Sequence, residues 1–284
     1  MRLVSIFKNL NRMQSSIPKK TFYVFAFFYV VTLIFYFPSR NAGFLTDFIG
    51  FEANYAKCGF IHYYDCSLMP NLRYVQHLFS YILWKTVGSN TIYWYLLYCF
   101  FHALATYLGF KVLNKLYQLY KIEQAFFIAF ASSFLFLISP YQAEVVVWRV
   151  CIQYCFVSIA LSLNILILLS YFKDEKISKA ILAFFIFAVS MFAIEQAAAI
   201  PIVLFLLTII INWNGNKPLV KKSILRFSLP QFLFIGIYFL LSKILYGKWI
   251  MHYGASAYNN LFSLKTYSNF FSYIFKYIFL LRCI

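Results

Sequence analysis

Long apolar runs separated by short polar stretches make up most of this chain. The first, Thr21–Phe37, approaches the ~20 residues that a helix needs to cross the hydrocarbon core of a bilayer. Similar runs cover Thr91–Leu113, Gln124–Ile138, Cys151–Phe172 and Phe227–Leu241, and a last one, Phe270–Ile284, closes the chain. The runs are continuous rather than alternating, which selects helices over the strands of a membrane barrel. The pattern predicts an all-α, polytopic transmembrane helical bundle forming one domain over residues 1–284.

Two segments depart from simple spans. In Tyr74–Val87 the residues Val75, Leu78, Phe79, Ile82 and Leu83 fall on one helical face. That spacing predicts a helix lying along the membrane interface. Ala180–Ile211 is apolar for 32 residues, too long for one span and short for two. Glu195 sits at its middle and Pro201 follows, so the segment predicts two short helices meeting at a turn around Glu195. A single kinked helix is the alternative, since a proline bends a helix without reversing it.

Composition supports the membrane reading. The chain is 63% hydrophobic and 12% charged, with mean hydropathy +0.74, too little polar surface for a soluble exterior. The net charge of +17 is spread over many loops, so it reads as loop lysines and arginines and not as a nucleic-acid surface. The basic start has no small-residue cleavage motif after Phe37 and reads as a signal anchor. With that N-terminus in the cytoplasm, the inner segments hold 15 Lys and Arg and the outer segments 8, the bias that cytoplasmic loops carry. The expected setting is a multi-pass membrane protein, as in a bacterial inner membrane.

The same orientation sends Asp47, Glu144 and Glu195 to the outer face, three of only eight acids in the chain. Acids at one mouth of a membrane bundle are expensive unless they are used. Asp47 lies in the longest polar loop, Pro38 to Arg73, with Glu52, His62, Asp65, Cys58 and Cys66. A Cys58–Cys66 disulfide is open to that loop on an oxidising side. Cys151 and Cys155, one helical turn apart in an apolar run, read as packing residues. Arg149 at the membrane face suits a phosphate, or snorkels to the interface. Arg73 and Lys85 flank the surface helix and suit an anionic lipid head. Glu144 and Glu195 suit sugar hydroxyls or a metal, or pair with a base such as Arg149. His102, inside the second span, is either a proton relay or a histidine satisfied by an inter-helix hydrogen bond. Trp148 suits stacking on a sugar ring or an interfacial belt.

Three segments carry a resemblance. Pro140, Glu144, Val146 and Trp148 form a proline, an acid four residues on, then a valine and a tryptophan at two-residue steps. Glu195 precedes Pro201 by six residues. Asp47 follows the first span, and Arg73, Gly88-Ser89-Asn90 and His102-Ala103 recur before and within the second. In these features the chain resembles the GT-C superfamily of integral-membrane glycosyltransferases, closest to the protein O-mannosyltransferase branch and its bacterial relatives. It departs from the pattern at Phe48, where a second acid often follows the first, and at Ile194, where a lysine is usual. The family's arginine also stands farther beyond the tryptophan than Arg149, and full-length members are longer. Phe270–Ile284 ends inside an apolar run, so the chain reads as the N-terminal part of a longer GT-C module.

The resemblance implies a GT-C-like bundle with an outer loop and interfacial helix between the first two spans. It implies a polyprenyl-phosphate-linked sugar donor, a glycan, lipid or protein acceptor, and a catalytic acid at Asp47. Glu144, Arg149, Glu195, Arg73 and His102 are the expected substrate-binding residues, and a divalent metal is an open option. Transfer chemistry itself asks for a base near the acceptor hydroxyl and a cation or metal at the departing phosphate. The competing readings are a flippase for a lipid-linked saccharide, which favours midplane polar sites and inverted repeats, and an inactive remnant.

Overall fold

The computed structural model describes residues 18–43, 46–63, 72–212 and 217–247, with Trp249 and Ser268. The basic N-terminal start, Asp65, Cys66 and the closing run Phe270–Ile284 lie outside the described residues, and so does the Asp47 side chain. Among the described residues the chain is all-helical, with no strand. In order come α1 (Pro18–Phe35), α2 (Thr46–Cys58), α3 (Tyr74–Val87), α4 (Thr91–Leu119), α5 (Ala125–Leu137), α6 (Ala143–Val147), α7 (Ile152–Asp174), α8 (Ile177–Met191), α9 (Ile200–Ile211), α10 (Lys217–Ser223) and α11 (Leu229–Tyr246). A wider π turn, Ile224–Ser228, joins α10 to α11.

Among the described residues three helices are long and apolar enough to cross a membrane: Thr91–Leu119, Ile152–Asp174 and Pro218–Tyr246. Ala125–Leu137 and Pro140–Val147, bent by 55°, make a fourth if taken together. The helices Phe22–Phe35, Ile177–Met191 and Glu195–Ile211 are apolar but shorter. Their outward residues, among them Phe22, Ile34, Phe185 and Ile202, are exposed, as expected of surfaces that meet lipid.

Helix ends follow local chemistry. Asn90 caps α4, its Oδ1 accepting the Ile92 N–H at 3.2 Å, one of the donors a helix start leaves unpaired. Gly247 ends α11 at φ 74°, its N–H donating to the Lys243 carbonyl at 2.9 Å, a left-handed cap that glycine adopts without strain.

The core has two lobes. Phe28 of α1 and Ala103 and Phe110 of α4 pack with Ala129 and Leu137 of α5. Leu168 of α7, Phe187 and Met191 of α8, Leu204 of α9, Phe227 of the π turn and Tyr238 of α11 form the other. The α4–α7 contact joins them. α4 runs beyond the apolar stretch that ends at Leu113 and carries both Lys111 and Lys115, because Val112 and Leu116 continue its packing surface onto the second lobe. The basic segment before Phe227 is helical from Lys217, with Pro218 in its first turn, where proline suits a helix start, and Leu219 on the core.

The contacts also sort the loops into two ends. At one end Tyr36 bonds the Leu137 carbonyl at 3.3 Å, Gln76 bonds Val150 and Arg73 bonds Glu195. At the other, Lys179 bonds Asp174, Lys222 bonds Glu175, and Arg226 bonds the Tyr171 hydroxyl. The apolar 32-residue segment does break near Glu195: α8 stops at Met191, a 3₁₀ turn covers Glu195–Ala199, and α9 returns to the lysine-rich end.

Candidate functional site

Asp47 lies in the first turn of α2. Its neighbour Phe48 is fully buried, edge-on to Trp94 with ring centroids 4.8 Å apart. Trp94 is held in turn by its indole N–H on the Gly88 carbonyl, 2.9 Å. Phe48, Trp94, Tyr98, Ile152 and Cys155 form one cluster. The start of α2 is therefore fastened beside the start of α4 and the Cys151–Ile152 entry to α7, two residues from Arg149.

Arg149 is the unusual residue of this end. It is 1% exposed, and its Nε, Nη1 and Nη2 have no hydrogen-bond partner among the described residues. The guanidinium sits 5.5 Å from the centre of the Tyr98 ring, and the Tyr98 hydroxyl bonds the Arg149 carbonyl. Burial lowers the Arg149 pKa from its ordinary value, opposed by the Tyr98 and Cys99 side chains; an arginine nonetheless stays charged in proteins. Burying such a charge without a partner is strongly unfavourable. Other orphans belong to the same neighbourhood. Gln76 of α3 donates to the Val150 carbonyl at 3.1 Å, leaving its Oε1 unpaired. The Trp148 indole N–H and Gln153 Oε1 are buried and unpaired as well. An indole donor and a full positive charge meet where the described residues supply no acid, an arrangement suited to an anion.

Glu195 meets Arg73. Arg73 Nη2 donates to Oε2 at 2.7 Å and Nε donates to the same oxygen at 3.0 Å, with the side chains 13% and 16% exposed. A second tie, Val75 N–H to the Phe192 carbonyl at 3.0 Å, fixes the start of α3 to the α8–α9 turn. The Tyr238 hydroxyl is buried, has no hydrogen-bond partner among the described residues, and lies within electrostatic reach of both charges. Tyr74 and Tyr246 join hydroxyls nearby at 2.9 Å.

Glu144 is exposed in α6 and pairs with neither Arg149 nor Arg73 among the described residues. His102 is 1% exposed, its Nε2 3.1 Å from the Leu137 carbonyl and its ring edge-on to Tyr36. It is satisfied between α4 and α5, and also lines a small pocket with Gln142, Tyr154, Cys155 and Ser158. Cys58 is disulfide-bonded, while its expected partner Cys66 lies outside the described residues. No three His, Cys, Asp or Glu side chains come together as metal ligands among the described residues.

Sequence reading missed the inward face of α3. Gln76, His77 and Ser80 are buried, whereas Leu78 and Ile82 are exposed and Phe79 and Leu83 pack on the Trp94 cluster. The i, i+1, i+4 spacing of those polar residues was the available signal. His77 Nδ1 lies 3.1 Å from the Tyr55 hydroxyl, between the rings of Phe51 and Tyr63. Burial, aided by Arg73, pushes its pKa down to about 3. Comparison with protein-family models, curated proteins and solved structures finds no match for this chain.

Proposed function

We propose that this chain is a membrane glycosyltransferase that moves a sugar from a polyprenyl-phosphate donor to a hydroxyl of a glycan, lipid or protein acceptor at the non-cytoplasmic face. The observation that carries the reading is Arg149, a buried guanidinium whose three nitrogens have no partner among the described residues, next to Trp148, whose indole N–H has none there either. A donor phosphate would supply the missing acceptors, and a bidentate phosphate–arginine contact is among the strongest hydrogen bonding available to either group.

Asp47 is the proposed base. It takes the proton of the acceptor hydroxyl, whose oxygen forms the new bond to the anomeric carbon. The bond from that carbon to the phosphate oxygen breaks, and the phosphate keeps the electron pair. Arg149 holds the negative charge that develops there. Glu195, already positioned by Arg73, and the unpaired Tyr238 hydroxyl are the groups suited to sugar hydroxyls. Glu144 on its exposed turn suits the acceptor side. Should a divalent metal take part, Asp47 and Glu144 are the acids suited to hold it.

A carrier for a lipid-linked saccharide draws support from one feature. Gln231 donates to Asn164 Oδ1 at 3.1 Å, both fully buried and near the middle of the apolar helix Pro218–Tyr246 and of α7. One experiment separates the two. Membranes containing the chain are incubated with a panel of labelled polyprenyl-phosphate sugars, and label is followed into acceptor. Transfer lost in both Arg149→Gln and Asp47→Asn supports the transferase. Label that crosses the bilayer without changing its lipid carrier overturns it.

A further inference from the structure

The lysine-rich end holds a second charged feature that the proposed chemistry does not use. α4 is 29 residues long, roughly 43 Å at 1.5 Å per residue, against roughly 30 Å of hydrocarbon. If Thr91 starts near one interface, Lys111 reaches the opposite interface and Lys115 stands at headgroup level. Lys173, at the end of the 23-residue α7, reaches the same level.

Lys115 is half-buried and within electrostatic reach of Lys111, Lys173 and Lys179. The acids nearby are already engaged. Asp174 accepts from Lys179 at 2.8 Å and Glu175 pairs with Lys222. Lys179 is held further by Ser170, whose Oγ lies 2.6 Å from its Nζ and whose carbonyl lies 3.0 Å away. Lys111 rests over the Tyr107 ring at 5.5 Å. Neither Lys111 nor Lys115 has a carboxylate partner among the described residues. A general excess of loop lysines explains topology. It does not require three further ammonium groups to gather around a half-buried one, where their mutual repulsion is poorly screened.

We infer that the corner formed by Lys111, Lys115, Lys173 and Lys179 binds the phosphate headgroup of an anionic phospholipid. A phosphodiester relieves the repulsion and accepts from several ammonium groups at once. The surface beside it argues for a lipid. Phe100 and Tyr107, on the helical face of Lys111 and Lys115, pack edge-on against Phe25 of α1 with ring centroids 5.7 Å apart and stay half-exposed, so an apolar seam between α1 and α4 runs from the lysines toward the middle of the bundle. An acyl chain lying along the outside of this seam brings its phosphate to the lysines. This inference stands on different residues from the transferase reading and at the opposite end of the bundle.

The test uses the whole purified protein in nanodiscs of phosphatidylcholine, with and without a minor fraction of phosphatidylglycerol, read by thermal unfolding and by native mass spectrometry of retained lipid. The wild-type chain is expected to unfold at higher temperature with phosphatidylglycerol and to retain it in preference to phosphatidylcholine. The double variant Lys111→Gln/Lys115→Gln is expected to lose that response, with affinity falling roughly thirtyfold for two interfacial charges. The control Lys176→Gln/Lys221→Gln removes two exposed lysines of the same end and is expected to keep it. Equal responses in the wild type and the Lys111/Lys115 variant overturn the inference. So does an equal loss in the control, which would mark a diffuse positive surface. Millimolar inorganic phosphate reproducing the shift in phosphatidylcholine alone overturns the assignment to a lipid.

Discussion

At the scale of single residues, the chain spends stability at Arg149. Its guanidinium is buried and has no acceptor among the described residues, and replacing buried ionic groups by apolar ones of similar volume is often neutral or stabilising by about 1–4 kcal/mol. Arg149→Met is therefore expected to leave the unliganded protein as stable as the wild type, or to raise its Tm by a few degrees, while transfer from a lipid-phosphate donor disappears. Thermal unfolding in detergent alongside the transfer assay reads both. A large fall in Tm would mean that Arg149 braces the fold instead. Asp47→Asn keeps the shape and removes the charge. It is expected to lower transfer by roughly 10²–10⁴-fold with the same amount of folded protein in the membrane. These two residues were visible in the sequence for different reasons. Asp47 stands out as a lone acid after an apolar run, and Arg149 as a base at the end of one. What the sequence could not tell is that Arg149 turns inward. An arginine at a membrane edge normally snorkels to water, whereas this one is buried with its guanidinium 5.5 Å from the centre of the Tyr98 ring.

At the scale of elements, α3 is the piece that closes the site. Its Gln76 reaches the Arg149 loop and its leading Arg73 reaches the α8–α9 turn. The apolar stripe announced a helix over Tyr74–Val87, and Leu78 and Ile82 of that stripe are exposed. Hydrophobicity says nothing of the opposite, polar face, where Gln76, His77 and Ser80 turn into the protein. The α8–α9 break was easier to read, because 32 apolar residues fit no single span and an acid with a following proline marks the turn. Two expectations belong to α3. Glu195→Gln removes the carboxylate charge that Arg73 grips with Nη2 and Nε. The expected loss is roughly 2 kcal/mol, seen as a lower Tm, and Arg73→Gln should add little to it in the double variant. Additive losses would mean that the two side chains act independently. His77 sets the second. Its folded pKa is depressed to about 3, against about 6.5 when unfolded. Below pH 6.5 the unfolded chain takes up a proton that the folded chain refuses. Stability contributed by the neutral imidazole is thus complete above pH 6.5 and lost as pH falls toward 3, by roughly 2 kcal/mol at pH 5. His77→Gln should flatten that part of the Tm-against-pH curve, and an unchanged slope would remove His77 from the account.

At the scale of the whole molecule, the distribution of charge over the two ends is the organising fact. One end gathers Arg149, the Arg73–Glu195 fork and exposed Glu144, while the other gathers Lys111, Lys115, Lys173, Lys179, Lys222 and Arg226. The membrane character and this two-ended arrangement were legible because both depend on composition along the chain. The number of full-length spans was less so. α1, α8 and α9 are apolar but short, and where a helix stops depends on capping and packing that hydropathy does not record. The excess of lysine and arginine at one end carries the expectation that this end faces the cytoplasm, since such residues are retained there. Positions 144 and 221 are both exposed and lie at opposite ends. Cys99, Cys151 and Cys155 are buried, and Cys58 is disulfide-bonded, so these four contribute little background to thiol labelling. In intact cells a membrane-impermeant maleimide is expected to label Glu144→Cys and to spare Lys221→Cys, which reacts only once the membrane is opened. The reverse pattern would put Arg149 and Asp47 on the cytoplasmic side and end the proposal of transfer at the outer face. Labelling of both from outside would break the two-ended bundle itself.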